Sequence, residues 1–168
     1  MRLFIAEKPS LGKAIAAELG VTQTCQGYMV CGNDVVTWCF GHLLEQYDPD
    51  DYNETWKLWR RSSLPMIPRG WRLKPKKDAL TQLQIINHLL SEAATVVNAG
   101  DPDREGQLLV DEVLEHFSYY GPVQRIWLAS LDSRSIQKAL ATLKDNRDYA
   151  NLRDSARARS QADWLIGM

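Results

Sequence analysis

Cysteine, histidine and long apolar runs are all scarce in this chain, and each scarcity removes a class of protein. The 168 residues hold three cysteines, Cys25, Cys31 and Cys39, with no CxxC pair among them. A zinc ribbon or a disulfide framework is excluded as an organising device, and buried free thiols are expected. The three histidines, His42, His88 and His116, show no metal-ligand spacing. No apolar run approaches the roughly 20 residues of a membrane-spanning helix, so no membrane partner is expected. The apolar residues near the N-terminus give way to Glu7 and Lys8 too early for a signal peptide, and a cytoplasmic location is expected. Net charge is only −1, so bulk charge gives no argument for a polyanionic partner. There is no nucleotide P-loop, no internal repeat and no low-complexity segment.

What is there reads as one domain with a real core. Arg2 to Ala6 is a short buried strand, Glu7-Lys8-Pro9-Ser10 a polar loop, and Leu11 to Leu19 a helix with Ser10 as its cap and Gly20 as its stop. Tyr28 to Cys31 and Val35 to Phe40 form a hairpin about Gly32-Asn33. A helix capped by Asp78 runs to about Ala94, with Leu80, Leu83, Ile86 and Leu90 on one stripe. Then come a strand, a helix from Arg104 to Phe117, a strand from Val123 to Ala129, a helix from Ser133 to Lys144, and a last helix from about Tyr149. Strands alternating with helices imply an α/β fold: a mostly parallel central sheet flanked by helices, with a hairpin and a long-loop insertion.

The chain is organised around Thr95-Val-Val-Asn-Ala-Gly-Asp-Pro-Asp-Arg-Glu-Gly-Gln107. A β-branched run leads into three carboxylates at alternate positions, Asp101, Asp103 and Glu105. Pro102 biases Asp101 toward an extended backbone, so the strand ends there, and Asp103 suits the helix N-cap. Three acids at one corner repel one another. Either their pKa values rise or a cation sits among them. Hard oxygens with no nearby His or Cys point to magnesium. The bland alternative is a capped helix whose first-turn acids are favoured by its dipole. Glu7 and Lys8 stand at the end of another strand, where open α/β sheets collect function. A carboxylic acid there can give a proton to a leaving alkoxide, and a lysine can neutralise phosphoryl charge.

From Gln46 to Lys77 the pattern loses its period, and four of the seven prolines fall here. Asp48 to Glu54 carries four acids and no base; Lys57 to Lys77 carries eight bases and no acid, with Trp56, Trp59 and Trp71 interleaved or adjacent. Cations mixed with flat aromatics suit single-stranded nucleic acid, though tryptophans tucked into the core beneath a solvated loop would give the same pattern.

Three stretches in order, Phe4-Ile-Ala-Glu-Lys-Pro-Ser10, Val36-Thr-Trp-Cys-Phe-Gly-His-Leu-Leu-Glu45 and Asn98-Ala-Gly-Asp-Pro-Asp-Arg-Glu-Gly-Gln107, closely resemble the N-terminal toprim domain of type IA DNA topoisomerases of the bacterial topoisomerase III group. Arg157-Ala-Arg-Ser-Gln-Ala-Asp-Trp-Leu-Ile-Gly167 resembles the helix that leads from toprim into the next domain. The resemblance implies a Rossmann-like toprim domain over residues 1–150, with residues 151–168 starting the onward helix. In that family a tyrosine attacks a single-stranded DNA phosphodiester and becomes joined to the 5′ phosphate, a second strand passes, and the break is resealed without ATP. Residue by residue, Glu7 matches the glutamate that handles the leaving-oxygen proton near the metal, and Lys8 the lysine that stabilises phosphate charge. Asp101, Asp103 and Glu105 match the DxDxE magnesium site. His42 lies in a Gly-His-Leu motif near the DNA, and Trp59, Arg104, Arg157 and Arg159 are DNA contacts.

The family's nucleophilic tyrosine, in a motif like Tyr-x-Arg-Thr, has no counterpart among Tyr28, Tyr47, Tyr52, Tyr119, Tyr120 and Tyr149. The ending at Ile166-Gly167-Met168 reads as a cut inside a larger protein. The expectation is a half-site that binds magnesium and single-stranded DNA weakly, depends on the parent's remaining domains and does not relax supercoils alone. A self-sufficient toprim nuclease or primase-like domain, or a non-catalytic single-strand-binding module, are the competing readings.

Overall fold

Leu3 to Ala6 of the first strand are buried from both sides, and the rest of the fold follows from that. The computed structural model of the protein describes residues 1–167; Met168, the last residue of the expected onward helix, lies outside them. In chain order the elements are β1 (Arg2–Ala6), α1 (Pro9–Leu19), β2 (Gln23–Cys25), β3 (Tyr28–Cys31), β4 (Asp34–Trp38), β5 (Leu44–Gln46), α2 (Pro49–Tyr52), β6 (Leu73–Pro75), α3 (Leu80–Glu92), β7 (Thr95–Ala99), α4 (Arg104–His116), β8 (Val123–Arg125), α5 (Ser133–Ala141), β9 (Lys144–Asp145) and α6 (Ala150–Ile166).

The main sheet has the order β2-β3-β4-β1-β7-β8-β9. Its centre, β4-β1-β7-β8, is parallel; β2, β3 and β9 pair antiparallel at the edges. Parallel strands need helices on both faces. Leu3, Ile5, Val35 and Val96 face Leu83, Ile86 and Leu90 of α3 and Leu109, Val110 and Val113 of α4. Phe4, Val36, Val97 and Ala99 face Leu11, Ile15 and Ala16 of α1 and Ile136 and Ala139 of α5. The two-residue alternation of β1 thus builds two cores.

Several boundaries differ from the sequence reading. Helix α1 starts at Pro9, not Leu11, and extended Lys8 is its N-cap, with Ser10 inside the helix. Proline at the first helical position loses no bond, because that N–H has no partner within the helix. Asp78 does not cap α3: it sits in a 3-10 turn, Lys77–Ala79, that feeds straight into the helix. The strand expected to reach Ala129 stops at Arg125, and the helix expected to reach Lys144 stops at Ala141, leaving Lys144 to begin β9. Strand β2 carried no apolar alternation and was not foreseen. The long excursion contains structure of its own, a two-stranded β5–β6 sheet plus α2.

Four rings fasten that excursion to α6. Trp164 meets Trp71 and Tyr52 edge-on, Tyr47 packs against Tyr52, and the Trp164 indole N–H donates to the Tyr47 carbonyl at 2.8 Å. Helix α6 lies along α4, burying Ala156 and pairing Arg157 with Glu115.

Candidate active site

Ala6 pairs in register with Trp38 on one side and Ala99 on the other, so three parallel strands end at one level. The residues that follow are Glu7 and Lys8 after β1, the Gly41–His42 loop after β4, and Gly100–Asp101 after β7. Main-chain bonds tie the ends together. The Glu7 N–H donates to the Ala99 carbonyl, the Gly41 N–H to the Glu7 carbonyl, and the Cys39 N–H to the Ala6 carbonyl. Gly41 has φ of +83°, a left-handed conformation that favours glycine.

Across this seam the expected residues meet. The Asp101 N–H donates to Glu7 Oε2 at 2.9 Å, and Lys8 Nζ donates to Asp101 Oδ2 at 2.8 Å. Asp103 caps α4 as expected, its Oδ1 accepting from the Gly106 N–H at 2.7 Å. The hydrogen bond to Asp101 first, then the charges of Glu7 and Asp103, hold the Lys8 ammonium above the usual lysine range. The cation beside Asp101 is, in this structure, the protein's own Lys8. Glu105 is half exposed on the first turn of α4, with Arg104 Nε 3.9 Å away.

The corner is possible only because two glycines face each other. A Cβ on Gly100 would overlap the Gly106 carbonyl oxygen, and one on Gly106 would overlap the Asp101 main chain. The end of β7 therefore presses directly on the first turn of α4.

Beneath lies a device the sequence reading missed. Arg125 is fully buried. Its Nε donates to Gln107 Oε1 at 2.7 Å, its Nη1 to the carbonyls of Gly100, Ile126 and Asn98, and its Nη2 to the Asp101 carbonyl at 2.7 Å. The rings of Trp127 and Tyr149 lie over the guanidinium. Burial pushes its pKa down to about 10, against the attraction of Asp111. Asp111 in turn accepts from Asn98, Gln107 and Asn146. A charge inside the apolar run of residues 123–129 was the available signal.

His42 pairs with Glu112 of α4, Nδ1 to Oε1 at 2.5 Å. The carboxylate is buried while the imidazole is partly open to solvent. That hydrogen bond holds the imidazolium above the ordinary histidine range, against desolvation. Burial pushes the Glu112 carboxyl up, and the pairing offsets it.

The remaining expected DNA contacts are spread out. Arg157 makes two bonds to Glu115, at 2.8 and 2.7 Å, and lines a cleft between α4, α6 and the β5–β6 sheet. Arg159 shares a shallow surface depression with Glu105, which brings α6 to the acid corner. Trp59 is 61% exposed on the excursion and, among the described residues, makes no ring–ring contact.

The donor set suits a hard cation: every candidate ligand is a carboxylate oxygen. Among the described residues, however, no three Asp, Glu, His or Cys side chains are arranged to hold a metal ion. Lys8 and the N-cap bond already engage Asp101 and Asp103.

Known proteins resemble the chain along its whole length. The chain is 50% identical over 173 residues to a protein of Vibrio cholerae and 49% identical over 174 residues to one of Haemophilus influenzae, both named DNA topoisomerase 3. These alignments cover 99% and 100% of the chain but 27% of each relative, so the chain spans about a quarter of their length. Among solved structures, full-length topoisomerase I from Thermotoga maritima superposes with a TM-score of 0.65 at 15% identity, over 98% of this chain and 24% of that one. That likeness concerns the fold. A family profile, the Toprim domain, matches residues 2–131, and the chain accordingly belongs to the Toprim domain family.

Proposed function

We propose that this chain is the toprim half-site of an ATP-independent type IA DNA topoisomerase. It supplies the magnesium ligands and the general acid/base for single-strand cleavage and religation by a tyrosine in the part of the relatives that it does not cover. The observation that carries the reading is the convergence of Glu7, Lys8 and Asp101 across two neighbouring strand ends. Residues 1–150 form the toprim unit and the helix from residue 151 leads onward; a cytoplasmic setting goes with this reading.

The chain's own groups divide the work. Glu7, held by the Asp101 N–H, stands where a carboxylic acid can give a proton to the departing 3′ oxygen and take it back on religation. The Lys8 ammonium offers a donor and a positive charge to a non-bridging phosphate oxygen. His42, Arg104 and Arg159 add positive groups around the corner, and Trp59 and Arg157 extend the contact surface. Asp101, Asp103 and Glu105, with Glu7, would hold magnesium, which when bound supplies charge stabilisation at the phosphate.

Calorimetric titration of the purified chain with magnesium, beside Asp103→Asn, tests the reading. Asparagine keeps the N-cap, so folding is preserved while one anionic ligand is removed. Saturable binding that disappears in the mutant is expected. Equal binding by both would refute the assignment of the corner. Metal-dependent nicking of DNA by the chain alone would favour the nuclease reading instead.

A further inference from the structure

Nothing in the DxDxE corner, the Glu7-Lys8 pair or the Gly-His-Leu motif accounts for Glu112. It is a carboxylate 6% exposed on α4, two turns beyond the acids, at the wall of the cleft that Leu108, Glu115, His116 and Arg157 also line. A buried carboxylate demands a partner. Its partner is the one imidazole at the strand-end seam.

We propose that Glu112 is a positioning residue for His42, fixing the ring so that Nε2–H is presented as a cationic donor to a DNA phosphate beside the acid corner. This rests on the topoisomerase reading above. The geometry is that of a histidine oriented through one nitrogen so that the other can act. The Nδ1 bond to Glu112 fixes the ring's orientation and keeps it charged. The Gly41 N–H bond to the Glu7 carbonyl fixes the loop that carries the ring. The side chain is 37% exposed although its Nδ1 is engaged by buried Glu112, so the ring keeps access to solvent. The charges acting on the ring come from Glu112 and Glu105 on α4, which favour the imidazolium, and from Lys76 after β6, which opposes it. Arg157 and Glu115 act on Glu112 from behind. Glu112 touches no phosphate itself; it acts through His42.

Two measurements on the chain as it stands test this. The first is the ¹⁵N-imidazole NMR spectrum of the wild type. Both ring nitrogens of His42 should still carry protons at the top of the ordinary imidazole range, near pH 6.5, with the Nδ1 proton far downfield. A neutral His42 ring would overturn the proposal. The second is the salt dependence of oligo-dT binding at the same pH, read by fluorescence anisotropy. A phosphate contact contributes about 0.7 to the slope of log K against log salt for a single strand. Glu112→Gln and His42→Ala should each flatten the slope by that amount, and Glu112→Gln should do nothing further in the His42→Ala background. A wild-type slope in Glu112→Gln, or effects that add, would overturn the proposal. If Glu112→Gln does not fold, His42→Gln and the wild-type spectrum carry the test. Absence of oligo-dT binding by the wild type even at low salt would refute the topoisomerase reading and the phosphate role with it, while the spectrum would still report the paired ring.

Discussion

Replacing Arg125 with methionine should cost more stability than any surface change in the molecule. Methionine fills a similar length with apolar atoms but offers no donor. Of the five acceptors that Arg125 serves, two keep another donor: Asn98 O accepts from the Ile126 N–H and Asp101 O from the Asp103 N–H. Gln107 Oε1, Gly100 O and Ile126 O lose theirs. An unsatisfied buried acceptor costs about 1–3 kcal/mol. Taken near the low end of that range for each of the three acceptors, the net is about 3–5 kcal/mol, against a total stability of about 5–15 kcal/mol for a typical domain. At this chain length each kcal/mol lowers Tm by roughly 2–4 °C, which gives a drop of roughly 6–20 °C. Thermal unfolding followed by circular dichroism measures it. Arg125→Lys should recover less than half, because one ammonium cannot reach acceptors spread over residues 100, 107 and 126. A drop of under roughly 3 °C for Arg125→Met would refute the clamp, since so small a loss corresponds to about one kcal/mol.

Gly100→Ala should destabilise by about 1–3 kcal/mol in chemical denaturation, because the added methyl overlaps the Gly106 carbonyl and one backbone must yield; a neutral result would mean that the corner is loose. Trp164→Ala should leave the main sheet intact and cost about 1–2 kcal/mol of local stability, seen as faster proteolysis within residues 46–77. The His42 pKa is raised in the folded state, so the pairing's stabilisation is complete below about pH 6.5 and fades as pH rises through the raised folded value. Tm against pH should show this decline in the wild type and lose it in His42→Gln.

The sheet and the seam were legible for one reason: their signals are local. Apolar runs that end in Glu7 or Asp101 announce both a buried parallel strand and the polar residues at its end, and Asp103 followed by a helical stripe announces a cap. What escaped was long-range or lacked a period. Arg125 looks like an interruption in a strand until Gln107, Gly100 and Asp101 surround it. Glu112 and Asp111 look like solvated helix acids although both are buried. Ser10 and Asp78 had the right chemistry for caps, but proline at the first helical position in one case and a 3-10 lead-in in the other set the boundaries. The excursion has no apolar period to advertise, and its rings find their partner, Trp164, far away in sequence.

Those rings have a mechanical meaning. Strand β5 begins two residues after His42 and is fastened through Tyr47, Tyr52 and Trp71 to Trp164, while Arg157 of the same helix grips Glu115 of α4. A pull on α6 would therefore be shared between the loop that carries the imidazole and the helix that carries the acids, so the two sides of the seam would feel it together.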